Sequence, residues 1–281
     1  TQTKRKNTTE RMFPFTALSH PTSDIKHPSL MLHSSNGDRY IFGKVPEGLQ
    51  RTLTETKTRV SRTDGMFLTG ELDWDGIGGL PGLILTISDQ GKKTLNLFYG
   101  NNYLDYVIST WRSFVFRFGM NITSTVLKDG QTFKNNIMEV KSIILTSGKA
   151  SKASKPFDDI TSLKLKEMVK RMFPLDVKNT YTEEEESNIE QAGDPKLSDP
   201  YIHVKLPHFI PSQTSTCYAI KMNGVRGKFS VEKATALGVP KGPIRGKLAS
   251  GKEITLEDGT VIEPSQVLSE SRQFENVLVI D

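Results

Sequence analysis

The stretch from Val60 to Ile87 limits what this chain can fold into more than any other part of it. An apolar, β-like run, Val60 to Thr69, ends in a loop dense in glycine and acidic residues, and a helix follows at once from Gly79-Leu-Pro-Gly82 through Ile87. Proline fits a first helical turn, where its missing N–H loses no partner, and does not fit the middle. A strand that turns straight into a helix needs a sheet with helices laid on it, so the expected class is layered α/β.

The rest of the pattern extends that reading. Phe13 to Leu18, Ser29 to Leu32 and Arg39 to Gly43 are short β-like runs, and Asn36-Gly37 between the last two predicts a hairpin with a type I′ turn. Leu95 to Tyr99 reads as a strand. Leu104 to Phe118 reads as a helix, because Val107, Ile108, Trp111, Phe114, Val115 and Phe118 recur at the helical period. Val140 to Leu145 adds a strand, and Ile160 to Phe173 an amphipathic helix stopped by Pro174. Tyr201 to Leu206, Cys217 to Met222 and Val277 to Ile280 are further expected strands, the last an apolar core strand whose partners are expected to be missing from the chain.

At 281 residues with 36% apolar and 25% charged content, the chain can bury a core, which excludes disorder throughout. Residues 176–200 are the exception: they lack apolar periodicity and carry Glu183 to Glu186, so they read as an acidic, solvated linker. The one cysteine, Cys217, rules out an intrachain disulfide framework. No apolar run is long enough to span a bilayer. Lys4-Arg5-Lys6 sits in residues 1–11, read as a flexible tail, with a clipped targeting segment as the alternative.

Signatures of chemistry are sparse. His20, His27, His33, His203 and His208 show no paired metal spacing, and neither a nucleophile elbow nor a phosphate-binding Gly-x-x-x-x-Gly-Lys loop is present. Glu71, Asp73 and Asp75 can hold a hard cation, but acids in such a loop more often cap the following helix.

Charge is concentrated elsewhere. The net charge is +5, yet between Arg226 and Lys252 lie Arg226, Lys228, Lys233, Lys241, Arg245, Lys247 and Lys252 against Glu232 alone. Ser230 is placed to cap a helix to Leu237, and Gly238 to end it. Val239-Pro240 and Gly242-Pro243 stiffen the link to a second helix, Ile244 to Ala249. Backbone amides around Gly242 and Gly246 are available to phosphate oxygens. Composition alone weighs this arm equally as a phosphate binder and as an ordinary basic hairpin. Only Phe229 is aromatic there, so base stacking is not indicated, and Phe229 reads as the anchor of the arm. Glu253 to Glu263 predicts a β-hairpin around Asp258-Gly259, with Ile254, Leu256, Val261 and Ile262 giving apolar contacts.

Three segments carry a resemblance to a known family. Met66-Phe-Leu-Thr-Gly-Glu-Leu-Asp-Trp-Asp-Gly-Ile-Gly-Gly-Leu-Pro-Gly82 resembles the zinc-motif loop of tRNase Z, a metallo-β-lactamase-fold nuclease family whose catalytic form reads Thr-His-x-His-x-Asp-His before Gly-Leu-Pro-Gly. Aligned on Gly-Leu-Pro-Gly, Glu71 and Asp73 stand at the first two histidines, Asp75 at the aspartate and Gly76 at the last histidine. Phe42 to Arg51 resembles an early motif of the family that has an aspartate where Lys44 falls. Arg226 to Lys252, continuing to Pro264, resembles the family's protruding tRNA-binding arm. Together with His20-Pro-Thr-Ser-Asp24 these are most similar to the fungal long-form enzymes.

The resemblance implies an αββα metallo-β-lactamase-like sandwich, incomplete at its carboxyl end, with a protruding basic αα/β-hairpin arm. Residues 12–175 are its first part, 176–200 the linker, 201–224 further strands, 225–264 the arm and 265–281 a return strand. Asp281 aligns with a metal-bridging aspartate of catalytic relatives. The implied role is that of the amino-terminal, non-catalytic half of a tandem protein: it binds precursor tRNA through Arg226, Lys228, Lys233, Lys241, Gly242, Pro243, Arg245, Lys247 and Lys252. No cofactor is expected on this chain, and zinc belongs to a carboxyl-terminal catalytic half that cuts the 3′ trailer. Nucleus and mitochondrion are the implied compartments, with no membrane partner. The rival readings are an interaction scaffold for the catalytic half and a hydrolase using the acidic loop.

Overall fold

A computed structural model of the protein describes residues 14–23, 25–34, 36–146, 156–176, 182–183, 200–208, 214–224, 227–256, 259–271 and 274–281. The sequence expectations on the tail at 1–11, most of the linker at 176–200, Arg226 and Asp258 lie outside the described residues. Two compact units are present, Thr1–Lys134 with Val140–Ile220 and Val277–Asp281, and Asn135–Glu139 with Lys221–Asn276.

The first unit is a layered α/β fold. Its larger sheet runs β1 (Phe15–Ser19), β2 (Ser29–His33), β3 (Arg39–Gly43), β4 (Thr63–Leu68), β5 (Thr94–Tyr99) and β6 (Asn121–Val126) in spatial order. β1 to β3 are antiparallel neighbours, while β3 to β6 run parallel. Parallel neighbours need crossovers. These are α1 (Leu49–Glu55), the pair α2 (Trp74–Ile77) and α3 (Leu80–Asp89), and α4 (Tyr103–Thr110).

Alternation along each strand sorts the two faces. Ile41, Met66 and Leu97 are register partners and join one core with Leu49, Leu83, Ile84 and Ile108 from the helices. One residue on, Phe42, Phe67 and Phe98 form a row on the other face, stacked at 4.7 and 4.3 Å between ring centroids. There they meet Tyr218 and Phe133 edge-on to Phe67, at 5.3 and 5.7 Å. Those two rings belong to a second sheet, ordered β12 (Val277–Val279), β9 (Thr214–Met222), β8 (Met138–Thr146) and β7 (Thr132–Lys134). Each buried ring contributes on the order of 2 kcal/mol of apolar burial, and favourable ring pairing adds to it.

Several expectations are corrected. The predicted helix to Phe118 stops at Thr110, and Phe114 and Phe118 are exposed. Beyond Thr110 the backbone bonds tighten to Trp111 N donating to Ile108 O and Arg112 N to Ser109 O, while side chains take carbonyls that would continue the helix, Thr110 Oγ1 donating to Val107 O and Arg112 Nη1 to Ser109 O. Tyr201 to Leu206 is no strand but follows from a 3₁₀ turn at Pro200–His203, with the Arg171 guanidinium 4.3 Å from the Tyr201 ring centroid. The Asn36-Gly37 hairpin forms with a longer loop than a two-residue turn, closed by Ser34 N donating to Asp38 O at 3.0 Å. β12 pairs with β9 at the sheet edge, with Leu278 and Ile280 exposed. α5 (Asp159–Met172) forms where its periodicity placed it, capped by Asp158 accepting from Thr161 N.

The second unit has its own core of Ala234, Val239, Leu248, Ile254, Ile262 and Val267, with Phe229 and Leu256 packed on it. Its elements are α6 (Val231–Ala236), α7 (Pro243–Ala249), β10 (Ile254–Thr255), β11 (Val261–Ile262) and α8 (Pro264–Val267). Ser230 Oγ caps α6 by accepting from Lys233 N, and Gly238, at φ +74°, ends it. Phe229 forms an isolated bridge with Leu268, which fixes the base of the unit. Val261 points outward, contrary to its expected apolar role, because β11 alternates and Ile262 takes the core position.

Candidate functional site

Two places are candidates: the loop after β4, and the basic surface of the second unit. The loop leaves β4 at Thr69 and Gly70, forms the single turn α2 and passes into α3. Gly70 is needed twice over. Its φ is +71°, and a Cβ there would lie 2.6 Å from Lys44 Cε and 2.8 Å from Asp281 Oδ2. Its amide and carbonyl bridge to Thr216 of β9, and its carbonyl also accepts from the Tyr99 hydroxyl at 2.9 Å. Burial pushes the Tyr99 phenol well above its ordinary range, so it acts there as a neutral donor.

The acids of the loop go separate ways. Asp73 Oδ1 accepts from Gly76 N at 2.7 Å and caps α2. Asp75 pairs with Lys26 at 2.8 Å, which holds its carboxyl below, and the Lys26 ammonium above, their usual ranges. Glu71 is exposed. Gly76, at the position of the motif's last histidine, packs on the Lys44 stem. Among the described residues no three His, Cys, Asp or Glu side chains come together as a metal-ligand set. The fold family implies zinc, and the residues of this loop do not fit it: one carboxylate is spent on a helix cap and another on an exposed ion pair.

A fixed cation sits there instead. Lys44, 8% exposed, runs along Gly70 and Gly76, and its Nζ lies 3.3 Å from Asp281 Oδ1. Thr69 Oγ1 donates to Asp281 Oδ2 at 3.0 Å, and Ser215 Oγ donates to Asp281 O at 2.8 Å. The backbone around Lys44 is equally committed, with Val45 N donating to Gly76 O and Gly79 N to Val45 O. The resemblance flagged both Lys44 and Asp281 as motif positions; that they meet each other is visible only in three dimensions.

On the second unit, Lys228, Lys233, Lys241, Lys247 and Lys252 are exposed, as are Gly242 and Pro243. Arg245 is different. Its Nε and Nη2 donate to Val239 O at 3.2 and 2.6 Å, and Nη2 also to Thr235 Oγ1 at 3.1 Å, so it ties α6 to α7 from inside. Gly242 precedes α7 at φ +135°, a conformation open to glycine, with Pro243 beginning the helix. Gly246 lies within α7. In sequence Arg245 has the same standing as the lysines, since composition carries no sign of which cation is tied back to the backbone.

The sequence pattern of the tRNase Z endonuclease family matches residues 16–79. Ribonuclease Z of Saccharomyces cerevisiae is 46% identical over 271 residues, which is 96% of this chain and 31% of that protein. The protein named tRNAse Z TRZ4, mitochondrial, of Arabidopsis thaliana is 30% identical, covering 90% of this chain and 23% of its own length. The crystal structure of a long form RNase Z from yeast superposes with a TM-score of 0.64 at 42% identity, over 77% of this chain and 28% of that one. The chain thus spans under a third of the length of these relatives.

Proposed function

The chain belongs to the tRNase Z family, and on that premise we propose that it is the amino-terminal, non-catalytic half of such a protein, gripping precursor tRNA while a carboxyl-terminal half cleaves the 3′ trailer. The observation that carries this reading is the second unit: a small closed core that presents Lys228, Lys233, Lys241, Lys247 and Lys252 to solvent, with Gly242 leading into the second of its two longer helices. Phosphate contact needs such a surplus on a rigid support. Zinc, in this reading, belongs to the other half, and Lys44 with Asp281 closes the degenerate loop here. Nucleus and mitochondrion are the compartments proposed.

The test is filter binding of precursor tRNA to the intact chain and to a Lys241→Ala/Lys247→Ala variant across a range of salt. Each lost phosphate contact lowers the salt slope by about 1 and weakens binding severalfold. Equal affinities and slopes would overturn the reading. Arg245 is left unaltered in this test, because its removal loosens the unit that displays the lysines.

A scaffold role has one observation of its own. Trp74 and Phe114 are each 63% exposed beside a cleft lined by Leu72, Ile77, Val107 and Trp111. Replacing Trp74 and Phe114 by Ser leaves tRNA binding intact and weakens association with a separately produced catalytic half if this face docks it. The hydrolase reading finds no support in the geometry, since Asp73 and Asp75 are already engaged.

A further inference from the structure

A second concentration of positive charge lies far from the motif loop along the strands. β3 and β4 are parallel, and the loop follows the carboxyl end of β4, whereas Arg39 opens β3 and Arg62 immediately precedes β4. The connection from α1 to β4 reads Lys57-Thr-Arg-Val-Ser-Arg62. Val60, 2% exposed, pins it to the core, and Arg39 N donates to Arg62 O at 2.9 Å. The Arg39 guanidinium in turn donates to the Arg59 carbonyl.

These bonds gather three guanidinium groups around one cleft of about 370 Å³, lined by His33, Ser34, Gly37, Arg39, Arg59 and Arg62, with Ser61 between the last two. Arg62 occupies the space a side chain at position 37 would need: a Cβ on Gly37 would come within 2.1 Å of its Nη1. Among the described residues no carboxylate lines the cleft. The acids nearby are engaged elsewhere, Asp38 with Asn36 at 2.7 Å and Asp64 with Lys92 and Tyr40 at 3.1 Å each. A second cleft of about 570 Å³ shares Arg59 and Ser61 and adds Lys57, Gln50 and Gln90.

Like charges held together by backbone anchors repel, and an anion relieves that repulsion. Guanidinium forks match phosphate oxygens in pairs, and serine hydroxyls and glutamine amides add neutral donors. Among the described residues no Phe, Tyr or Trp lines either cleft and His33 is the single ring in their lining, so a run of stacked bases has little support there. Two adjoining clefts sharing one arginine suit a chain of repeated anions better than a single one. We infer that the Arg39–Arg59–Arg62 cleft is a phosphodiester-binding site that takes a stretch of RNA backbone, separate from the lysines of the second unit. This rests on the chain being an RNA-binding half, as proposed above.

The experiment compares the intact chain with an Arg59→Gln/Arg62→Gln variant and with Lys241→Ala/Lys247→Ala, in precursor-tRNA binding from low to moderate salt. The arginine variant is expected to bind about tenfold more weakly, with a slope of log affinity on log salt shallower by about 1–2. Arg62→Lys should keep the slope and lose part of the affinity. Arg59→Gln alone, altering an exposed side chain, guards against a folding defect and should give about half the change in slope. Wild-type affinity and slope in the arginine variants, with loss in the lysine variant, overturns this site and leaves the proposed function standing. The reverse pattern keeps the site and overturns the lysine arm. A chain that binds no precursor tRNA overturns both. Tight, Arg62-dependent binding of a phosphoserine peptide, with RNA binding unchanged, overturns the RNA assignment in favour of a protein partner.

Discussion

At the scale of single residues, the pairing of Lys44 with Asp281 shows how the motif loop is held. A lysine 8% exposed has lost nearly all its hydration, and its stability depends on the carboxylate 3.3 Å away. Asp281 is part-exposed, so solvent screens the attraction and the net worth is modest. Replacing Lys44 by Met leaves Asp281 with Thr69 and Ser215 only, and is expected to cost about 1–3 kcal/mol in chemical denaturation. Asp281→Asn should cost about as much, and the double variant less than the sum of the two. Strict additivity would mean that the two side chains do not support one another.

Among the elements, the pair α6 and α7 is the most informative. Arg245 and Gly242 set its geometry, one by hydrogen bonds and one by its backbone, and neither effect needs RNA. Arg245→Ala removes the donors to Val239 O and Thr235 Oγ1, and Gly242→Ala forces a side chain onto φ +135°. Each is expected to destabilise the second unit by about 1–3 kcal/mol, read as faster amide hydrogen exchange in α6 and α7 with exchange in β4 and β5 unchanged. The sequence disclosed much of this region, because Ser230, Gly238 and Pro243 are local signals that act over one turn. It did not disclose the end of α4, where the apolar period runs on through Phe114 and Phe118 although Thr110 has already taken the Val107 carbonyl. Period reports what can face a core; side-chain competition for the backbone decides where the helix stops. β6 and β7 escaped notice for a related reason, since Asn121–Val126 and Thr132–Lys134 bury little and alternate weakly.

For the whole molecule, two units of unequal core size predict unequal stability. The second unit rests on six small or medium buried side chains, whereas the first combines the helix-facing core with the row of phenylalanines. Buried apolar area sets the scale of stabilisation, so native-state hydrogen exchange in mild denaturant should open Ala234 and Leu248 at lower free energy than Phe67 and Leu97. Equal free energies with a common denaturant slope would show one cooperative unit instead. At this scale the fold class was legible from strand–loop–helix order, and the degenerate motif from the residues at 71, 73, 75 and 76. The basic cleft was not, because Arg39 and the segment 57–62 are separated in sequence and meet only through parallel pairing of β3 with β4.

The lysine in the motif loop has one more implication. A metal ion dissociates, so a domain that leans on one is only as firm as the free-ion level around it. The Lys44 ammonium is covalently part of the chain it stabilises, so its contact with Asp281 carries no loss to a free-metal pool and is weakened only by ordinary salt screening. The contribution of that contact is therefore the same in a metal-starved compartment as in a replete one.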